Sequence, residues 1–236
     1  MKYAGKRYII TGASGGMGRV LVKKLAEDGA KLAICSNDAN GLDEVEKELA
    51  ALGNPALVSK CIDITNEKDV AEFFGAAKGA FGGEADGLIN LAGLSIPGKI
   101  AETPEADYDT TIDVNLKGTF LSSKHFLPMA AENAQIINIG SMAALRANGN
   151  APLYCTAKAA VNMFSNALQI QATEKGVRVT VLNPGGADTP FWGNRPVNRA
   201  KLLQAADVVE VILFVLSLAP NIAVHSIDFE SFEAMK

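Results

Sequence analysis

Along the chain, short apolar runs alternate with longer segments in which apolar residues recur every three or four positions. The short runs predict strands at 7–11, 31–35, 56–62, 87–91, 135–139 and 178–182, with a last short strand at 226–229 on a sheet edge. The longer segments predict helices at 16–28, 42–52, 67–81, 108–130, 152–175 and 206–218. Strict alternation of the two types is the pattern of an α/β chain with a parallel sheet and helices on both faces. Because parallel crossovers are right-handed, the simplest arrangement is a doubly wound sheet of about seven strands, with a ligand crevice at the carboxyl ends of its strands. One segment, 189–205, breaks the rhythm: it is rich in Pro, Asn and Arg, carries Phe191 and Trp192, and predicts a loop lying over that crevice as a lid.

Composition narrows the setting. A chain of 236 residues with 48% apolar content can bury a large core, and at this length a single α/β domain over 1–236 is expected. The net charge of −4 with scattered Lys and Arg shows no basic stripe, which argues against a nucleic-acid surface. The amino terminus has no apolar run before its first strand. The longest apolar stretch, 211–219, is far short of the roughly 20 residues of a membrane span. A soluble, cytoplasmic protein acting on small molecules is therefore the expectation. The three cysteines, Cys35, Cys61 and Cys155, lack metal-type spacing and read as buried thiols. His125 and His225 are too few and too far apart to suggest a metal site, and none is expected.

Directly after the first strand, Thr11-Gly12-Ala13-Ser14-Gly15-Gly16-Met17-Gly18 opens a helix. Glycines at this junction permit a tight turn and close approach of a pyrophosphate, whose charge then rests on helix amides; Gly12, Ser14, Gly15, Gly16, Met17 and Gly18 are the candidates. The second strand ends at Ser36-Asn37-Asp38. Ser36 and Asn37 can donate to a ribose 2′-phosphate without repelling it, whereas an inward Asp38 would oppose one. On charge alone this leans to NADP over NAD.

The second chemical constellation is Tyr154-x-x-x-Lys158 with Ser141 thirteen residues upstream. In a helix, positions i and i+4 share a face. Bringing a phenol of pKa ~10 close to neutrality takes roughly 3 units, or about 4 kcal/mol. A cation ~4 Å from the phenolate at an effective dielectric of ~20 supplies about that much. In a chain with four tyrosines a lone match of this kind carries little, so its meaning comes from its surroundings. Cys155 points about 100° away from the Tyr154 face and is expected to be buried. In the same helix, Ala157, Val161, Phe164 and Leu168 form one apolar row, and Ala160, Met163, Ala167 and Ile170 form another. One row is expected to pack on the sheet, and an exposed second row would need a partner.

In order, the chain carries Thr11-Gly12-x-x-x-Gly16-x-Gly18, Asp63-Ile64, Asn90-Leu91-Ala92-Gly93, Asn115, Ser141, Tyr154-x-x-x-Lys158, and Pro184-Gly185 with Thr189. This series resembles the short-chain dehydrogenase/reductase family in its short single-domain form, over essentially the whole chain. The resemblance implies a Rossmann-type fold and hydride exchange between NADP or NAD and a carbonyl or secondary alcohol of a small substrate. It implies Tyr154 as proton donor, Ser141 as hydrogen-bond partner of the substrate oxygen, Lys158 as the residue that lowers the Tyr154 pKa and grips the cofactor ribose, and Asn115 as holder of a relay water. Asp63 and Ile64 would meet the adenine; Asn90, Ala92 and Gly93 would hold the cofactor and the neighbouring strand; Pro184, Gly185 and Thr189 would orient the nicotinamide amide. Asp63 can alternatively cap a helix starting near Asn66, Asn90 can satisfy a turn, and Ser141 can cap one. Leu91 stands where the family more often has a second Asn, and the tail around 221–229 lacks a Gly-rich ending. A homodimer or homotetramer built on the 108–130 and 152–175 helices is expected. Within the class, a 3-oxoacyl-carrier-protein reductase and a small 3-hydroxy acid dehydrogenase are alternatives. A cofactor-binding redox sensor that does no chemistry would be expected to lack the four catalytic-type residues, and all four are present.

Overall fold

The computed structural model describes residues 1–236. Seven strands form a parallel sheet: β1 (Arg7–Thr11), β2 (Lys31–Ser36), β3 (Val58–Cys61), β4 (Ala85–Asn90), β5 (Ala130–Ile139), β6 (Arg178–Pro184) and β9 (Ser226–Phe229). Their order is β3-β2-β1-β4-β5-β6-β9. A separate two-stranded pairing joins β7 (Ala187–Asp188) to β8 (Leu203–Gln204). The helices are α1 (Gly16–Glu27), α2 (Ala39–Ala51), α3 (Glu67–Phe81), α4 (Glu105–Ile112), α5 (Gly118–Phe126), α6 (Pro152–Thr173), α7 (Ala205–Leu216) and the short α8 (Phe232–Met235).

Both faces of the sheet are buried, which is why its strands read as nearly unbroken apolar runs. Successive side chains point to opposite faces, so Ile9 and Ile10, Leu88 and Ile89, and Ile136 and Ile137 each divide between two cores. Ile10, Ile89 and Ile137 meet Leu21 and Leu25 of α1, Val45 of α2 and Ile212 of α7. Ile9, Leu88 and Ile136 meet Phe73 and Phe74 of α3, Phe126 of α5 and Leu168 of α6. The doubly wound Rossmann-type sheet expected from the sequence is the one observed.

The strand order reverses at β1, which pairs with β2 on one side and β4 on the other. Chains leaving β1 and β4 therefore diverge, and a crevice opens at the carboxyl ends of these strands. Register places Thr11, Asn90 and Asn138 in one row across β1, β4 and β5 at the floor of that crevice.

Element boundaries depart from the sequence reading in several places. The single helix expected at 108–130 is α4, a π-helical turn at Asp113–Lys117, α5, and a 3₁₀ turn at Leu127–Met129. The break lies at Asn115, whose amide bonds back to the Thr111 carbonyl at 2.8 Å; Pro128, which cannot donate a backbone hydrogen bond, sits in the closing turn. Helix α2 begins at Ala39, three residues early, because Asp38 caps it by accepting from Gly41 N at 3.1 Å. The third strand is shorter than 56–62, and β5 starts at Ala130 rather than 135. Of the cysteines expected to be buried, only Cys35 is; Cys61 is exposed and Cys155 is half-buried. Cys61 ends the edge strand β3, which has a neighbour on one side only.

Candidate active site

The turn after β1 is built for close approach. Gly12 has φ +69°, and a Cβ there would sit 2.8 Å from the Ala92 backbone nitrogen; a Cβ on Gly18 would sit 2.2 Å from the Gly12 carbonyl. The start of α1 has neither a side-chain cap nor an acidic residue in its first turn, so its amide end and positive dipole face the crevice without an internal anion. Thr189 lies directly over Gly16, where a Cβ would come within 2.7 Å of its side chain. A cradle that only glycine leaves open, at a helix N-terminus, fits a pyrophosphate.

Two cavities meet here and share Leu91 and Gly93. The smaller, about 240 Å³, is lined by Gly12, Ser14, Gly15, Ser36, Asn37, Asp63, Ile64 and Ala92 among others. Ser14 and Ser36 hydroxyls lie 2.6 Å apart, and Ser36 also accepts from Asp38 N at 3.3 Å. Asn37 is exposed at the rim, while the Asp38 carboxylate is held by the start of α2 rather than aimed into the cavity. Asp63 is exposed and accepts from the Thr65 amide at 2.9 Å and its hydroxyl at 2.8 Å. The cap of α3 is Asn66, not Asp63.

The larger cavity, about 830 Å³, holds Met17, Ser141, Tyr154, Lys158, Pro184, Gly185 and Thr189 in its lining. Pro152 starts α6, and along that helix Tyr154, Lys158, Asn162 and Ser165 project a polar stripe toward the sheet. Lys158 is 4% exposed and donates to the Ile139 carbonyl at 2.8 Å. Burial pushes its pKa down to about 8. Its Nζ lies 5.7 Å from the centroid of the Tyr154 ring. Burial also raises the Tyr154 phenol above its ordinary value, opposed by a hydrogen bond from Ser141 and by the charge of Arg195. The expectation that Lys158 would by itself lower the phenol pKa is therefore corrected: desolvation dominates, and the hydroxyl is relieved by Ser141 and Arg195.

Ser141 follows β5 and caps a 3₁₀ turn, its hydroxyl accepting from Ala143 N at 3.1 Å, while its own amide donates to Asn183 Oδ1 at 3.0 Å. Asn183 exchanges amide hydrogen bonds with Asn162 of α6, at 3.1 Å each, and donates to Asp228 of β9 at 2.8 Å. Asn115 is fully buried at the π turn and donates to the Leu94 carbonyl at 2.8 Å, but its Oδ1 has no partner. A Cβ on Gly93 would lie 2.9 Å from this Oδ1 and 3.3 Å from Lys158 Nζ. The orphaned acceptor and the ammonium thus both lie beside Gly93. Asn90 does not line either cavity; its amide donates to Asn138 at 2.8 Å and so holds the neighbouring strand. Gly16, Gly18 and Asn115 support the crevice without lining it.

Sequence reasoning missed Asn138, Asn162, Asn183, Arg146 and Arg195. A signal existed for two of them: Asn138 and Asn183 are lone amides near the ends of apolar strand runs, where a buried polar side chain needs a partner. For the arginines there was none, since a loop cation gains meaning only from the wall it stands on.

A family model described as short chain dehydrogenase matches residues 6–200. An uncharacterized oxidoreductase of Staphylococcus saprophyticus is 31% identical over 221 residues, covering 93% of this chain and 94% of that protein. A counterpart in Staphylococcus aureus is 30% identical over the same shares. Among solved structures, a short chain dehydrogenase from Burkholderia cenocepacia in complex with NADP aligns with TM-score 0.91 at 26% identity, covering 99% of this chain and all of the other. An alcohol dehydrogenase from Thermococcus sibiricus complexed with 5-hydroxy-NADP aligns with TM-score 0.87 at 26% identity over 97% of each chain. The chain belongs to the short-chain dehydrogenase/reductase family, and it is an oxidoreductase of that class.

The buried Lys158 makes a prediction about stability. With its folded pKa near 8 and an unfolded value near 10.5, the unfolded chain binds more protons between those pH values, so folding strengthens as pH rises through the window and the penalty is complete below it. Compared with Lys158→Met in urea unfolding, the wild type should gain roughly 3 kcal/mol of relative stability between pH 7 and above pH 10. A pH-independent difference would show that the ammonium is not desolvated.

Proposed function

We propose that the protein is an NAD(P)-dependent alcohol dehydrogenase or carbonyl reductase, with 1–236 acting as one domain and 189–205 as a lid over the substrate. The observation that carries this reading is the convergence of Ser141, Tyr154 and Lys158 on one wall of the larger cavity, beside the glycine cradle at α1. The Burkholderia and Thermococcus structures hold NADP and 5-hydroxy-NADP, which supports a nicotinamide dinucleotide in the same crevice. When bound, such a cofactor supplies or accepts the hydride. Gly12 through Gly18 would receive its pyrophosphate, Asp63 and Ile64 its adenine end, and Pro184, Gly185 and Thr189 its nicotinamide end.

The chain's own residues then manage the proton. Ser141 hydrogen-bonds the substrate oxygen where negative charge develops, and Tyr154 donates to it in the reducing direction. Lys158 stands ready for the ribose hydroxyls, and a water between Lys158 and the free Asn115 Oδ1 would continue the path inward. A cofactor-binding sensor without chemistry would need none of this alignment.

Three features bear on the cofactor, the assembly and the setting. Asp38 turned onto α2 leaves Asn37 and Ser36 beside the ribose position, which supports NADP over NAD, although neither cavity is lined by a cation next to them. The outer row of α6 leaves Met163 68% and Ile170 76% exposed, next to Phe120 of α5 at 43%. These residues would be covered in a homodimer or homotetramer built on α5 and α6. No helix is long and apolar enough to cross a membrane, in keeping with a cytoplasmic enzyme.

Tyr154→Phe should lower kcat for NADPH- or NADH-driven reduction across a carbonyl panel by about 10³-fold, with cofactor affinity kept; turnover that survives would remove the phenol from the mechanism. Asn37→Asp should weaken NADPH binding by about 10-fold or more relative to NADH, and an unchanged ratio would sink the charge argument. Ile170→Glu should shift the protein toward monomer in light scattering; an unaltered mass would exclude that face as the interface.

A further inference from the structure

The larger cavity is electrostatically one-sided. Its 28 lining residues include Arg146, Lys158 and Arg195 and not one Asp or Glu, in a chain whose net charge is −4. Two of these cations are engaged. Lys158 donates to the Ile139 carbonyl, and both terminal nitrogens of Arg146 are taken by Glu230, at 3.0 and 2.7 Å. Arg195 has no carboxylate within ion-pair distance. Its guanidinium carbon lies 4.9 Å from the Phe191 ring centroid and 5.0 Å from that of Trp192, two rings that stand edge to face at 90°. Its Nε donates to the Trp192 carbonyl at 2.9 Å, and Nη2 donates to the Phe191 carbonyl. Phe191 in turn packs on Tyr154, ring centroids 5.7 Å apart.

A half-buried guanidinium oriented by two rings and two carbonyls, with no counter-ion, is a preorganised anion receptor. Its side-chain geometry is fixed beforehand, so little entropy is lost on binding. We infer that Arg195 recognises an anionic group on the substrate, making the preferred substrates oxo acids or hydroxy acids whose carboxylate lies on the Phe191–Trp192 wall while the reacting oxygen meets Tyr154 and Ser141. This deepens the reading above and rests on it for the position of the reacting oxygen. Arg195 is then a specificity-determining residue, and the charge that relieves the Tyr154 phenol is matched by the substrate's own.

Trp192 is the only tryptophan in the chain and its ring centroid lies 5.0 Å from the guanidinium carbon, so its fluorescence reports on this wall directly. In the holoenzyme with oxidised cofactor, which cannot reduce a ketone, Trp192 fluorescence is titrated with 2-oxobutanoate, 3-oxobutanoate and 4-oxopentanoate and with their methyl esters. At least one acid should bind more tightly than its ester in the wild type; Arg195→Gln should weaken that acid by about 10-fold or more and leave the ester nearly unchanged. Arg195→Lys, which keeps the charge, should restore most of the preference. Acid and ester binding alike in the wild type, or falling together in Arg195→Gln, would reduce the guanidinium to loop packing and overturn the proposal. So would a loss confined to cofactor affinity, which would assign Arg195 to the cofactor's phosphates. Hydride transfer to the oxo acids and their esters is scored separately: its absence with all of them in the wild type defeats the carbonyl-reductase reading, whereas an acid preference lost without Arg195 is read from fluorescence alone.

Discussion

The site depends on where a buried ammonium can find an acceptor. Lys158 is almost wholly removed from water, and a charge in that position is tolerated only against a hydrogen-bonding partner. The Ile139 carbonyl, at the last residue of β5, is that partner. Because this bond ties one point of α6 to one end of one strand, it fixes the rotation and height of the helix on the sheet. Tyr154, one turn earlier, is thereby carried to Ser141, which follows the same strand two residues later. A helix docked only by its apolar row would have a looser register, since hydrophobic contact is not directional.

Around this bond the polar stripe of α6 is matched group by group. Ser165 receives the Asn138 amide, which in turn accepts from Asn90, joining α6 to β5 and β4. Asn162 meets Asn183, which also receives the Ser141 amide and reaches Asp228 on the edge strand. A buried network joined across α6, β4, β5, β6 and β9 in this way makes the wall that carries Ser141, Tyr154 and Lys158 rigid. Two amide oxygens here are left without a partner: Asn90 Oδ1 and, beside Gly93 and Lys158, Asn115 Oδ1. The position of Asn115 in a π-helical turn sets it apart from the other amides, and π turns of this sort are frequent at functional sites.

The opposite side of the crevice is looser in chemistry and rests on backbone. The glycine cradle, the uncapped start of α1 and the exposed Asn37 offer amides rather than charges, so the phosphate end of a ligand is met by dipoles. The larger cavity is lined instead by Phe191, Trp192 and Arg195 on the segment between β7 and β8. The two ends of one crevice thus use different physics, and they come from opposite ends of the chain.

The order of strands and helices was legible in the residues because each strand is buried on both faces and each helix on one, and burial writes its period into the sequence. The glycine turn, Ser141, Tyr154 and Lys158 were legible for a related reason: their spacing is local, and local geometry follows from helix and turn rules. The π break at Asn115 was not, since a helix period of apolar residues runs straight through it and only the buried amide's bond to Thr111 reveals the change. The pKa of Tyr154 was misjudged from sequence because i, i+4 spacing brings Lys158 near the ring but says nothing of desolvation, which proved larger. Asn183 and Arg195 gained their roles only when strands distant in sequence placed Asn183 under Ser141 and the β7–β8 pairing turned Arg195 toward Tyr154. Sequence determines what depends on neighbours a few residues apart; tertiary structure alone decides which charges lose their water and which groups they meet when they do.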